Sequence, residues 1–145
     1  MICLNELKTN LNNYFVLWLT GGIVYYFAEI FCRGYSHFSM LICGGLCFLV
    51  VGVFGNKIIQ NEKRLILGII KVMIFGSMTI TTLEYITGLI VNIRYGLNVW
   101  DYSDMKYNVD GQICLLYSLI WGLMSLICVF MNNMIEDKIL KNNQT

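Results

Sequence analysis

Glu84 lies within Ser77-Met-Thr-Ile-Thr-Thr-Leu-Glu-Tyr-Ile-Thr-Gly-Leu-Ile, an apolar run long enough to be solvated by lipid rather than water. A carboxylic side chain in such a run costs about 2.5–3.5 kcal/mol of insertion free energy, so it should face protein or a wetted hollow and is a candidate proton or cation site. A second acid, Glu29, precedes Arg33 by four residues, the spacing and order that let a helix pair them. One guanidinium serving both carboxylates would hold a polar pocket rigid. A carboxylate that it leaves unserved would be free to take a proton or a cation.

Helical steps of four, three, four and four place Ser77, Thr81, Glu84, Gly88 and Asn92 on one stripe. Ile80, Leu83, Ile86 and Ile90 form the apolar side. The segment that follows, Arg94 to Cys114, interleaves Trp100, Tyr102 and Tyr107 with Asp101, Ser103, Asn108, Asp110 and Gln112. Aromatics of this kind float at headgroup depth, and alternation with polar residues suits a folded loop. Asn108 or Asp110 is expected to cap the helix after it. Gln112 should look toward the same polar pocket.

His37 is the lone histidine, so it makes no metal site, and capping through Ser36, His37 and Ser39 is the simpler expectation. With Asp101, Ser103 and one of the glutamates it would also supply the acid, base or nucleophile of a small membrane-embedded enzyme acting on a lipid or envelope substrate. Cys3, Cys32, Cys43, Cys47, Cys114 and Cys128 are scattered. Cys43 and Cys47 share a face, but no histidine or second pair completes a tetrad. They read as small packing residues, and no metal or cofactor is expected.

The elements that must position these side chains follow from composition. Of 145 residues 57% are apolar and 13% charged, with no proline and a mean hydropathy of +0.64; soluble domains carry about 25% charged residues. Four stretches, near 13–31, 39–55, 65–93 and 111–131, approach the roughly 20 residues that cross a bilayer. The expected fold is all-α: a polytopic membrane protein with four transmembrane helices in a compact bundle of two helical hairpins, one domain over 1–131, and a polar tail over 132–145. Cys114, Ser118, Gly122 and Ser125 form a small-residue packing row on the fourth span. Lys71 can snorkel to an interface.

Lys8, Lys57, Lys63, Arg64, Lys138 and Lys141 fall on the side of the termini, against Arg33, Arg94 and Lys106 on the other. Six against three places both termini in the cytoplasm of a multi-pass cell-membrane protein. A net charge of +1 gives no basic field for nucleic acid. No GxxxxGK[ST] loop is present, so any ATP-driven role needs a separate subunit.

Glu29, Arg33-Gly34-x-Ser36-His37-Phe38-Ser39-Met40, Gly44-Gly45, Glu84-x-x-x-Gly88-x-x-x-Asn92, Trp100-Asp101-Tyr102-Ser103, Asn108 and Gly111-Gln112-Ile113-Cys114 together resemble the bacterial ABC-transporter permease family of the CmpB type. The resemblance spans roughly residues 20 to 125, and the stretch from Trp100 to Cys114 is its most specific part. It departs at Lys106, where that family carries proline, and at Phe38, where tryptophan is frequent. The resemblance implies an integral membrane component of transport and brings no established substrate. Beside it, the residues themselves support an outward-facing polar pocket of Glu29, Arg33, His37, Glu84, Asn92, Trp100, Asp101, Ser103, Asn108 and Gln112. Four short helices make a thin wall for a pore, so a homo-oligomer or a separate transporter subunit would complete a path, with an unidentified small-molecule ligand. The alternatives are a structural or accessory membrane protein held by a polar clasp and, behind it, the enzyme.

Overall fold

A computed structural model describes the backbone of residues 2–142 and the side chains of residues 12–135 apart from Cys32. Cys3, Lys8, Lys138 and Lys141 lie outside the described side chains. With no proline to interrupt them, the apolar runs form α1 (Ile2–Arg33), α2 (Phe38–Asn61), α3 (Leu65–Gly88) and α4 (Leu115–Asn142). A six-residue π-helical turn, Leu89–Arg94, extends α3. Among the described residues four segments are long and apolar enough to cross a bilayer: Asn12–Phe31, Phe38–Asn61, Leu65–Arg94 and Leu115–Ile135.

Each helix end has a local cause. Gly34, at φ +80, adopts the left-handed conformation that glycine takes most readily, and its N–H reaches Ile30 O at 2.8 Å to close α1. His37 is extended and its ring accepts from Ser39 N–H, which starts α2. Ser36 is therefore not the cap; its hydroxyl goes elsewhere. At the opposite end, the extended Glu62 stops α2, and its carboxylate receives Lys71 Nζ. That ammonium, ahead of the Arg64 backbone N–H, holds the half-buried Glu62 carboxyl below the usual carboxylate range.

Two expectations for the fourth span are corrected. It begins at Leu115, because residues 108–114 fold as a short antiparallel ladder, β1 (Asn108–Val109) against β2 (Ile113–Cys114), pairing Asn108 with Cys114 and Val109 with Ile113. Neither Asn108 nor Asp110 caps α4, since Asn108 lies in β1 and Asp110 in the turn that joins it to β2. The helix also runs on through Asn142, past the expected end of the span at residue 131.

Packing makes two hairpins, α1 on α2 and α3 on α4, with α2 touching both members of the second; α1 meets α4 only sparsely. Cys43, Cys47, Val51 and Ile80 form the central core, flanked by Leu83, Trp121 and Cys128. Met40, Val91, Val99 and Trp100 form a second core nearer the 95–114 loop, with Tyr25 and Tyr102 against it. Small residues set the α3–α4 distance. A Cβ on Gly76 would overlap Ser125 Cβ, so the backbones approach as closely as glycine permits. Ser125 Oγ then donates to Val72 O at 3.2 Å, Ser77 Oγ to Ser118 O at 2.6 Å and Thr81 Oγ1 to Ser118 Oγ at 2.9 Å. Hydroxyls satisfied across a helix pair are the glue that a lipid-solvated bundle uses. The outer faces carry Ile66, Met78, Leu119 and Phe130, all more than half exposed. With four apolar spans and such a surface, the chain is a multi-pass membrane protein.

Candidate functional site

The polar residues gather where α1, the π-helical turn and the 95–114 loop meet. Glu29 is buried, and both of its oxygens are engaged: Arg33 Nη1 donates to Oε1 at 2.9 Å and Ser36 Oγ to Oε2 at 2.7 Å. The other arm of the guanidinium, Nη2, donates to Val99 O at 2.7 Å and to Tyr35 OH at 3.1 Å. Partial burial works against the Arg33 charge, yet Tyr35 and the Glu29 carboxylate prevail and hold its pKa above the usual value. Arg33 thus ties the end of α1 to the loop.

Asn92 ties α3 to the same loop. Its Nδ2 donates to Trp100 O at 3.0 Å and to Gln112 Oε1 at 2.7 Å, while Oδ1 accepts from Val99 N–H at 2.7 Å. Trp100 Nε1 donates to Gln112 O at 2.9 Å, and Gln112 Nε2 to Asp110 O at 3.0 Å. Burial makes each bond count, because a polar group left unpaired there costs its full desolvation penalty. The π-helical turn supplies the position: Tyr95 N–H reaches back five residues to Ile90 O, so Asn92 sits on the widened turn.

Glu84 stands apart from this clasp. It is 4% exposed. Tyr102 OH donates to its Oε1 at 3.0 Å and Trp121 Nε1 to its Oε2 at 2.8 Å. The expectation that Arg33 contacts both acids is corrected here, since its donors are taken by Glu29, Tyr35 and Val99. Among the described residues the ion pairs are Arg33–Glu29 and Lys71–Glu62, so Glu84 has no cationic side chain within pairing distance. Burial, and then the adjacent Glu84 carboxylate, push the Tyr102 phenol far above its ordinary pKa, keeping it a donor. Its ring stacks on Tyr117 at 4.7 Å, Tyr117 meets Trp121 at 6.1 Å, and Trp121 meets Tyr25 at 6.1 Å.

The remaining sequence candidates serve local turns. Asp101 is exposed and accepts from Ser103 N at 2.8 Å and Ser103 Oγ at 2.6 Å. The Ser103 hydroxyl and then its backbone N–H hold the Asp101 carboxyl below the usual range. Asn108 Nδ2 donates to Ser103 O at 3.1 Å and Met105 O at 2.8 Å, and its Oδ1 accepts from Gly111 N. His37 Nδ1 lies 2.9 Å from Ser39 Oγ. The structure therefore brings together Glu29 with Arg33, and Asn92 with Trp100 and Gln112, while Asp101, Ser103 and Asn108 shape the exposed loop and His37 caps α2.

Beneath Glu84 lies a cavity of about 90 Å³. Tyr25, Phe48, Cys43, Cys47, Trp121 and Cys128 contribute to its wall, and of the polar-pocket residues expected from the sequence Glu84 alone reaches it. Tyr25, Tyr117 and Trp121 are not among those expected residues. Their signal is present all the same: Tyr117 and Trp121 are one helical turn apart in a membrane span, and a tryptophan N–H buried in apolar surroundings needs an acceptor. A carboxylate offers about four acceptor positions and Glu84 uses two within the described residues. It can therefore accept a further donor or a cation. Among the described residues no three His, Cys, Asp or Glu side chains are grouped to hold a metal ion.

Neither a curated protein nor a solved structure matches the chain. A family model described as "Putative ABC-transporter type IV", of the CmpB type, matches residues 14–145. With nearly its whole length covered by that match, the chain belongs to the CmpB-type family of ABC-transporter type IV proteins.

Proposed function

We propose that this chain is a membrane-embedded subunit of a transport system, that the 95–114 loop faces outward, and that the cavity headed by Glu84 holds the molecule being moved. The observation that carries the reading is a carboxylate enclosed in the bundle, braced by Tyr102 and Trp121 and placed at the head of an otherwise apolar cavity. Burying such a group is costly unless something pairs with it. Membership of an ABC-transporter family supports the transport role, with ATP hydrolysis assigned to a partner subunit.

The other polar candidates fit a clasp: Glu29, Arg33, Asn92 and Gln112 spend their hydrogen bonds on Val99, Trp100 and one another. That arrangement favours a structural role for these four beside a functional Glu84. The enzymatic alternative gains no support from geometry, because His37 bonds within its own cap and Asp101 within its own turn.

Glu84→Gln is the discriminating variant. Its amide oxygen can accept from Trp121 Nε1, and its amide nitrogen can donate to the Tyr102 oxygen once that hydroxyl turns. In cells lacking the native gene, wild-type chain is expected to restore the small-molecule profile of cells and medium, and Glu84→Gln to fail at equal membrane abundance. Full restoration by Glu84→Gln would overturn the reading. Loss of inserted protein in that variant would instead assign Glu84 a structural role, holding Tyr102 and Trp121.

A further inference from the structure

The cavity beneath Glu84 has a selective chemistry. Tyr25, Phe48 and Trp121 line it together with one carboxylate. Its rim includes Val24, Met124 and Ile127, which are 44%, 40% and 49% exposed and lie within the spans of α1 and α4. Because α1 meets α4 only sparsely, the mouth opens on the flank of the bundle, toward lipid.

Taking the reading of Glu84 above as its basis, we infer that the molecule held there is an amphiphilic organic ammonium ion, its cationic head against Glu84 and its alkyl chain toward the mouth between α1 and α4. Three observations select that class. Glu29 is already matched by the Arg33 guanidinium, whose other arm is committed to Val99, whereas Glu84, the carboxylate that lines the cavity, has no cationic side chain within pairing distance among the described residues. When ionised, Glu84 therefore presents one negative charge for a ligand to match. Aromatic faces, tryptophan best, attract ammonium heads through their quadrupoles, and Trp121 and Tyr25 stand 6.1 Å apart beside the carboxylate. The lipid-facing mouth supplies the third, a path for an alkyl chain.

Competing ligands fit less well. A hard inorganic cation needs six or more oxygen ligands, and no three His, Cys, Asp or Glu side chains are grouped for a metal among the described residues. An anion would face Glu84 directly. A neutral hydrocarbon would leave that carboxylate unmatched. A zwitterionic phospholipid carries a phosphate beside its ammonium, which would sit against the same carboxylate, so the ligand is a free amphiphile.

The test uses the full chain purified in a maltoside detergent, which carries no ammonium group. Thermal unfolding is followed with octyltrimethylammonium, with octanesulfonate of opposite charge, and with 2,2-dimethyldecane, the uncharged carbon isostere of the first. Saturable stabilisation by octyltrimethylammonium alone is expected, with apparent affinity at least about tenfold weaker in Glu84→Gln, since the charge–charge contact is lost while the aromatic faces of Trp121 and Tyr25 remain. Val24→Trp, at an exposed rim position, should obstruct the mouth and abolish the effect without touching the core. It keeps the proposal testable if Glu84→Gln does not fold. Equal stabilisation by the sulfonate or the hydrocarbon, or undiminished binding in Val24→Trp, would overturn the assignment. If Glu84→Gln abolishes transport in cells while the ammonium gives no saturable effect, the ammonium assignment falls and the transport reading stands. Glu84-dependent binding alongside normal transport by Glu84→Gln would uphold the assignment and overturn the transport reading.

Discussion

Asn92→Leu should release the 95–114 loop from the bundle and lower stability on the order of 3 kcal/mol. Leucine keeps the branching and heavy-atom count of asparagine, so the shape of the site is largely retained while its polar atoms are removed. What is lost is the pairing of Val99 N–H, Trp100 O and Gln112 Oε1, all of which Asn92 serves in a buried setting. Each buried group stranded in this way costs about 1–3 kcal/mol, and shared relaxation keeps the sum below simple addition. Thermal unfolding in detergent should show a melting temperature lower by roughly 10 °C. Limited proteolysis should cut within residues 95–107 earlier than in wild type. A melting temperature indistinguishable from wild type would show that the clasp does not hold the loop.

Gly76→Ala should be nearly as damaging through geometry alone. The new Cβ would overlap Ser125 Cβ, well inside carbon–carbon contact at about 3.5–4.0 Å, and neither atom belongs to a flexible chain end. The α3 and α4 backbones must then separate by more than about 1 Å to restore that contact. Separation stretches the bonds from Ser125 to Val72, Ser77 to Ser118 and Thr81 to Ser118. A loss of about 2–3 kcal/mol is expected, typical of overpacking. The pair Gly76→Ala with Ser125→Gly moves the single Cβ from one helix to the other and should recover most of it. A cycle of thermal unfolding measurements on the two singles and the double checks this; additive losses in the double would refute the contact.

The membrane spans are legible because lipid solvation writes itself into composition: an apolar run of about twenty residues is what the thickness of a bilayer demands. The stripe from Ser77 to Asn92 is legible for a similar reason, since helical periodicity fixes which side chains share a face. Its partners are not. Periodicity says that Glu84 points inward but not that Trp121, on another helix, is the group waiting there. The Glu29–Arg33 pair is readable from four-residue spacing, whereas the bond from Arg33 to Val99 crosses from one hairpin to the other and has no local signature.

Asn108 fails as a cap because hydrogen bonds to Ser103, Met105 and Gly111 hold it in a turn. The short ladder that it opens has only two residues on each side, too few for alternation to announce a strand. The widened turn at Leu89–Arg94 leaves no composition to read either.

A binding hollow whose mouth opens on a helix flank samples the bilayer's contents, not those of the surrounding water. Occupancy then follows membrane-phase concentration, which rises with each methylene by about 0.8 kcal/mol of partitioning. Homologous ligands of increasing chain length would therefore bind progressively tighter when referred to their dissolved amounts, with no added contact to Trp121 or Glu84. Referred to the lipid phase, the series should collapse toward a single value.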